Sequence, residues 1–162
     1  MITLYTPRTK GAGLPVTALL LAGTALLSAC SQRVQDTHPQ QWVSQRQAVF
    51  KDFTRTLEPM GLMARERQPF DPEAFSAAAQ RLQTLSSLPW PFFTPDSNYA
   101  PTRARDRVWE QPEAFAQAQA HFRDRVEQLV QASQSGTLDA VRPAVEQVQN
   151  SCKACHDRFR QP

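Results

Sequence analysis

Two thiols and an imidazole stand together near the end of the chain, in Cys152-Lys153-Ala154-Cys155-His156. Two cysteines separated by two residues, with a histidine directly after, form the attachment pattern for a c-type haem. Each thiol suits a thioether link to a haem vinyl group, and the imidazole suits an axial bond to iron. Cys152 and Cys155 are therefore the candidate attachment points for one covalent haem c, and His156 is the candidate iron ligand. Structural zinc is the competing use of such residues, but it asks for four ligands, commonly from two paired motifs. The remaining cysteine, Cys30, is far off in sequence.

The elements that must position this motif are helical. Trp42, Arg46, Val49 or Phe50, Phe53, Leu57 and Met60 recur at spacings of three and four, which marks one helical face. The spacing predicts a first helix over 39–65, with Pro59 and Gly61 able to bend or weaken its end. Asp71 as N-cap and Pro72 at the first helical position open a second helix. Its stripe is Phe75, Ala78, Leu82 and Leu85, and Pro89, Pro91 and Pro95 break it. Residues 88–111 then form a long connection, with a short turn expected over 105–109. Connections of this length are functional or disordered. Trp90, Phe92, Phe93, Tyr99 and Trp109 argue for order, because such side chains seek burial.

Pro112 begins a third helix, with Phe115, Ala118, Phe122, Val126, Leu129 and Ser133 on its stripe and Gly136 as the C′ residue. Thr137 is the expected cap of a fourth, whose seam is Leu138, Val141, Val145, Val148, Cys152, Cys155 and Phe159. Pro143 falls within its opening turns. Four stripes of this kind predict an all-α fold, an antiparallel up-down-up-down four-helix bundle over residues 39–162. No strand alternation and no internal repeat interrupt it.

Cys152 and Cys155 lie on the apolar seam of the fourth helix, and His156 points the same way, four residues from Cys152. The haem thus belongs inside the bundle, near one end, level with the start of the first helix. Met60 and Met63 are the obvious candidates for a second ligand. Met60 lies roughly 15 Å along the axis from Phe50, so both methionines read as core. His38 and His121 read as surface residues, and Lys51 would be a costly charge if buried. Arg46 breaks an apolar seam, with Gln47 beside it. A buried arginine wants an anion, which haem propionates would supply; the other option is a packed stem with its head in water.

The chain starts differently. Arg8 and Lys10 precede an apolar run from Leu14 to Leu27, the pattern of an export signal. The run is short of the about 20 residues a spanning helix needs. It closes on Leu27-Ser28-Ala29-Cys30, which looks like a bacterial lipobox. On that reading residues 1–29 are a lipoprotein signal peptide, Cys30 carries lipid, and 30–38 form a polar tether. Ordinary cleavage leaving a free thiol is the alternative. Ser31, in place of an aspartate, points to the outer rather than the inner membrane, with the protein facing the periplasm. Without Arg8 and Lys10 the balance falls from 18 basic against 15 acidic side chains to 16 against 15. A near-neutral chain without a clustered basic face gives no reason to expect nucleic acid as a partner.

Taken together, several stretches resemble the cytochrome c′ family over residues 39–160. They are Arg46-Gln47, Ser87-Leu88-Pro89-Trp90, Thr102-Arg103-Ala104-Arg105 with Val108-Trp109, and Ser151 through Arg160. The resemblance implies a five-coordinate, high-spin haem with His156 as the one strong protein ligand. It places Phe50 over the opposite face, where many relatives carry leucine or methionine. It also implies that Trp90 and Phe93 surround the haem, that Thr102 and Arg103 lie near the propionates, and that Arg160 is the basic residue on the histidine side; Phe53, on the same stripe as Phe50, is a further candidate haem contact. Two apparent extra residues in the long connection and the lipid anchor are departures from the pattern. Relatives bind nitric oxide and carbon monoxide, discriminate against oxygen and are linked to nitric oxide tolerance. A face lined by Phe50 offers no hydrogen bond, which suits that discrimination. The expectation is a gas-binding cytochrome rather than an enzyme, since no acid–base pair stands out beside the open face. Electron transfer in the periplasm, served by an unidentified redox donor, is the alternative. Homodimers are common in relatives.

Overall fold

The computed structural model describes residues 34–162. The expected signal peptide, the lipidation site Cys30 and the first residues of the tether lie outside them. The helices are α1 (Trp42–Ala64), α2 (Pro72–Leu85), α3 (Arg107–Glu110), α4 (Pro112–Ser133) and α5 (Leu138–Phe159), with one 3₁₀ turn at Trp90–Phe92. Among these described residues no helix is long and apolar enough to cross a membrane.

Local chemistry sets most of the ends. The Asp71 carboxylate accepts from the N–H groups of Glu73 and Ala74, both at 3.0 Å, and Pro72 occupies the first turn of α2, where a missing N–H costs nothing. Pro112 does the same for α4. Three expectations need correction. The first helix starts at Trp42 rather than residue 39, because Gln41 takes a left-handed backbone (φ 49°) that cannot continue a helix. Thr137 stands at the N-cap of α5, but its hydroxyl lies 3.2 Å from Ser135 Oγ and caps no helical N–H. Gly136 does adopt positive φ (66°), though one position later than C′, since α4 ends at Ser133. Pro59 and Pro143 are carried inside α1 and α5 without ending either.

The four long helices pack in a ring, α1 against α2 and α5, and α4 against α2 and α5. Side-chain contacts fix the antiparallel sense. Arg142 near the start of α5 pairs with Glu66 just past α1 at 3.1 Å, and Phe115 near the start of α4 meets Phe159 at the end of α5 with ring centres 5.2 Å apart. At Gly61 the helices α1 and α5 come close enough that a Cβ would lie 3.1 Å from Gln149. The main core is built from the expected stripes: Met60, Phe75, Leu82, Val126, Leu129, Val141 and Val148 are fully buried. Each large side chain removed from water here contributes about 1.5–3 kcal/mol. On α2 the buried alanine is Ala79 rather than Ala78, which packs half-buried beside it.

A second apolar cluster forms around Val108, Phe115 and Phe159 at the end where α1 and α4 start and α5 finishes, with Trp90, Phe93 and Cys155 against it. The long connection closes this end and is ordered by its aromatics. Trp90 donates its indole N–H to Ser86 O at 2.7 Å, and Trp109 donates to Thr94 O at 2.8 Å. The expected turn near residues 105–109 is the short helix α3. Just before it, Ala104 pairs antiparallel with Arg160, so that Arg105 N–H reaches Phe159 O and Gln161 N–H reaches Arg103 O.

The segment expected to be a free tether is docked from Asp36 onward. Asp36 accepts from Ser44 N–H at 2.7 Å and from the Tyr99 hydroxyl at 2.8 Å, and the His38 ring stacks on Tyr99. Polar composition alone does not reveal such partners, because Tyr99 comes from the distant long connection.

Candidate haem site

At the end capped by the second cluster the bundle opens into a cleft of about 770 Å³, a volume suited to a cofactor-sized ligand. Helix α5 forms one wall. Its 3.6-residue period turns Cys152, Cys155 and His156 toward the same space. Both thiols are half-buried. Burial pushes Cys152 up to about 11, and burial with the neighbouring Cys152 does the same to Cys155, so each is a neutral thiol near pH 7. Burial also lowers the His156 pKa; the Arg160 charge lowers it further, while Asp157 opposes. The imidazole is thereby biased toward the neutral form that ligates metals.

The facing wall is aromatic. Phe50 on α1 meets Phe53 edge-on at 5.5 Å, Trp90 at 5.9 Å and Phe93 at 6.3 Å between ring centres. Phe53 in turn stacks on Phe122 at 5.3 Å. These edge-to-face arrangements are the favoured geometry for aromatic pairs.

Polar residues gather at the cleft's margin. Gln47 donates to Pro101 O at 3.2 Å, and Arg103 donates to Gln161 O at 3.2 Å. Arg46 is 3% exposed. Its guanidinium donates to Phe92 O, Ser97 Oγ, Ser97 O and Thr102 Oγ1 over 2.7–2.9 Å. Four uncharged acceptors of the long connection thus surround the buried guanidinium. Burial lowers its pKa, with Tyr99 and Asp36 opposing.

The cleft brings together every described residue that the sequence picks out for the site: Arg46, Gln47, Phe50, Phe53, Trp90, Phe93, Thr102, Arg103, Cys152, Cys155, His156 and Arg160 all line it. Met60 and Met63 are core residues away from it. His38 points to Asp96, with Nε2 at 3.5 Å, and His121 is exposed. Lys51 sits exposed at the cleft's edge rather than buried. Sequence reasoning misses Val108, Phe115, Phe122 and Phe159 as lining residues. They sit on apolar stripes or turns, and periodicity alone cannot tell a face that meets core from one that meets a cofactor.

This donor set fits a c-type haem. Two thiols one helical turn apart share a wall with one imidazole, the opposite wall is apolar, and Arg103 and Arg160 add two cations to the lining. Zinc fits poorly, since among the described residues no three His, Cys, Asp or Glu side chains converge on one point.

Comparison with known proteins agrees. A family model described as Cytochrome C' matches residues 41–160. Cytochrome c' of Alcaligenes xylosoxydans xylosoxydans is 33% identical over 126 residues, spanning 78% of this chain and 98% of that one. Cytochrome c-554 of Cereibacter sphaeroides is 27% identical over 152 residues, spanning 91% and 97%. A nitric oxide complex of an Alcaligenes xylosoxidans cytochrome c prime variant superposes with a TM-score of 0.73 at 32% identity, covering 79% of this chain and 100% of that one. A carbon monoxide-bound variant of the same protein gives the same score, identity and coverage. The extent of these matches shows that the chain belongs to the cytochrome c′ family, whose members carry one covalent haem c.

Proposed function

We propose that this protein is a five-coordinate, high-spin cytochrome that binds nitric oxide and carbon monoxide at its haem iron and serves nitric oxide tolerance. One observation carries the reading. Among the described residues His156 is the only imidazole lining the cleft, no methionine lines it, and the wall facing it is built around Phe50, Phe53, Trp90 and Phe93. A wall of ring carbon offers iron no second ligand. The haem supplies a ferrous centre with affinity for small diatomic ligands. Cys152 and Cys155 would hold it covalently, and His156 would bind its iron. Arg103 would meet its carboxylates, Arg160 would lie on the His156 side, and the aromatic wall would exclude water. The nitric oxide and carbon monoxide complexes solved for the Alcaligenes protein support the same ligand class here.

Electron transfer is the alternative. In its low-spin form it needs a sixth ligand, and Met60 and Met63 are buried in the core instead. The deciding experiment is an optical and electron-spin spectrum of the purified ferric holoprotein. High-spin ferric iron is expected; a low-spin spectrum with a methionine or second histidine ligand would favour electron transfer. We place the protein in the periplasm, held to the outer membrane through a lipid on Cys30, where a separate redox donor reduces it. The lipobox residues Leu27-Ser28-Ala29-Cys30 support that location.

A further inference from the structure

We infer that Arg46 is a positioning residue, a lock that holds the long connection so that Phe93 limits the swing of Phe50. The inference rests on the reading that Phe50 closes the ligand side of the cleft. Arg46 leaves α1 one turn before Phe50 and enters the connection that follows α2. Its Nη1 donates to Phe92 O at 2.8 Å and Ser97 Oγ at 2.9 Å; its Nη2 donates to Ser97 O at 2.9 Å and Thr102 Oγ1 at 2.7 Å. Four of the five N–H donors of a guanidinium are thereby engaged. Ser97 is fully buried and lies off the cleft. It answers Arg46 through both its carbonyl and its hydroxyl, so this part of the chain is shaped around the arginine.

The same guanidinium carbon lies 4.5 Å over the centre of the Phe93 ring, within cation–π range. Phe93 meets Phe50 in a T-shaped contact at 6.3 Å and is backed by Phe115 at 5.0 Å. Arg46 therefore fixes both the backbone on either side of Phe93 and the ring itself. On that reading a ligand entering opposite His156 would displace Phe50, and Phe93 is one of the three rings, with Phe53 and Trp90, that bound its movement. A lysine cannot substitute, since its three donors radiate from one atom and give no planar face for the ring.

The test uses the holoprotein. Carbon monoxide association after flash photolysis and the midpoint potential are measured for wild type, Arg46→Lys, Ser97→Ala, Phe50→Ala and the two double variants with Phe50→Ala. Arg46→Lys and Ser97→Ala should each speed association by about fivefold, the size set by one lost buried hydrogen bond. Both effects should vanish on the Phe50→Ala background, and Ser97→Ala should leave the potential unchanged. Unaltered association in Ser97→Ala, with Arg46→Lys acting through a shifted potential, would overturn the lock and leave Arg46 as a charge beside a propionate. If Phe50→Ala alone leaves association unchanged, the gate reading fails, and amide exchange over residues 92–102 decides the lock by itself. Faster exchange in Arg46→Lys supports it; unchanged exchange overturns it.

Discussion

Tyr99 donates its hydroxyl to the Asp36 carboxylate at 2.8 Å, across 63 residues of sequence. The contact ties the segment ahead of α1 to the connection that closes the haem end. Asp36 also accepts from the Ser44 and His38 N–H groups. Burial alone would raise its pKa, but these hydrogen bonds outweigh it and hold the carboxyl below its ordinary 3.8.

The sign of the pH effect follows. A carboxyl depressed in the folded state stabilises the fold above its unfolded pKa, and that contribution is lost as pH falls through the folded value. Thermal unfolding should therefore show a larger loss on acidification from neutral pH to below 3.8 in wild type than in Asp36→Asn. At neutral pH the substitution should cost no more than about 1 kcal/mol, because water still screens this partly exposed group. Equal acid sensitivity in the two proteins would remove Asp36 from the account.

Haem attachment depends on the α5 thiols. Acid–acetone should leave haem on the wild-type protein and extract it from Cys152→Ser/Cys155→Ser. His156→Ala should keep the thioethers and weaken iron ligation, which the optical spectrum reads directly. Haem freely extracted from wild type would contradict the covalent assignment.

Phe50→Ala should open the aromatic wall. Removing a ring that contacts Phe53, Trp90 and Phe93 should speed carbon monoxide association by about tenfold or more, equivalent to about 1.4 kcal/mol. The ferric spectrum should show water entering as a sixth ligand. Unchanged carbon monoxide kinetics would mean that Phe50 is not the gate.

The methionines separate stability from ligation. Met60 is fully buried in the main core. Met60→Ala should cost about 2–5 kcal/mol in denaturant unfolding. Met60→Leu, which keeps the volume, should cost less than about 1.5 kcal/mol and leave the haem spectrum as it is. A spectral change in Met60→Leu would make the residue a ligand.

The proposed membrane attachment rests on Cys30. Wild-type protein should sediment with membranes, and Cys30→Ala should release it or stall its processing. Recovery of wild type wholly in the soluble periplasmic fraction would count against the lipobox.

Much of the architecture was legible in the chain because helices write their buried face at a short, regular spacing. The stripes of α1, α4 and α5 could be read directly, and Asp71-Pro72 announced a start whose cap forms as expected. Cys152, Cys155 and His156 were legible for a related reason: their mutual geometry is set within little more than one turn of one helix. Resemblance, not periodicity, pointed to Trp90, Phe93, Thr102 and Arg103, which a spacing argument cannot place.

What only the tertiary structure decided are relations between distant segments. Arg46 could be seen to occupy an apolar seam, but not that Phe92, Ser97 and Thr102 would supply its acceptors, because those residues lie 46–56 positions away. The docking of Asp36 on Tyr99 and the pairing of Ala104 with Arg160 are hidden for the same reason. Phe115, Phe122 and Phe159 read as ordinary core because hydrophobicity favours any water-free surroundings equally. Whether such a ring meets another helix or a cofactor is settled when the helices close around a cleft. The sequence by itself determined the helices, their apolar faces and the haem-binding triplet, all short-range properties. The fold decided which faces meet, what the buried charge bonds to, and which rings stand opposite His156, since these depend on segments that only packing brings together.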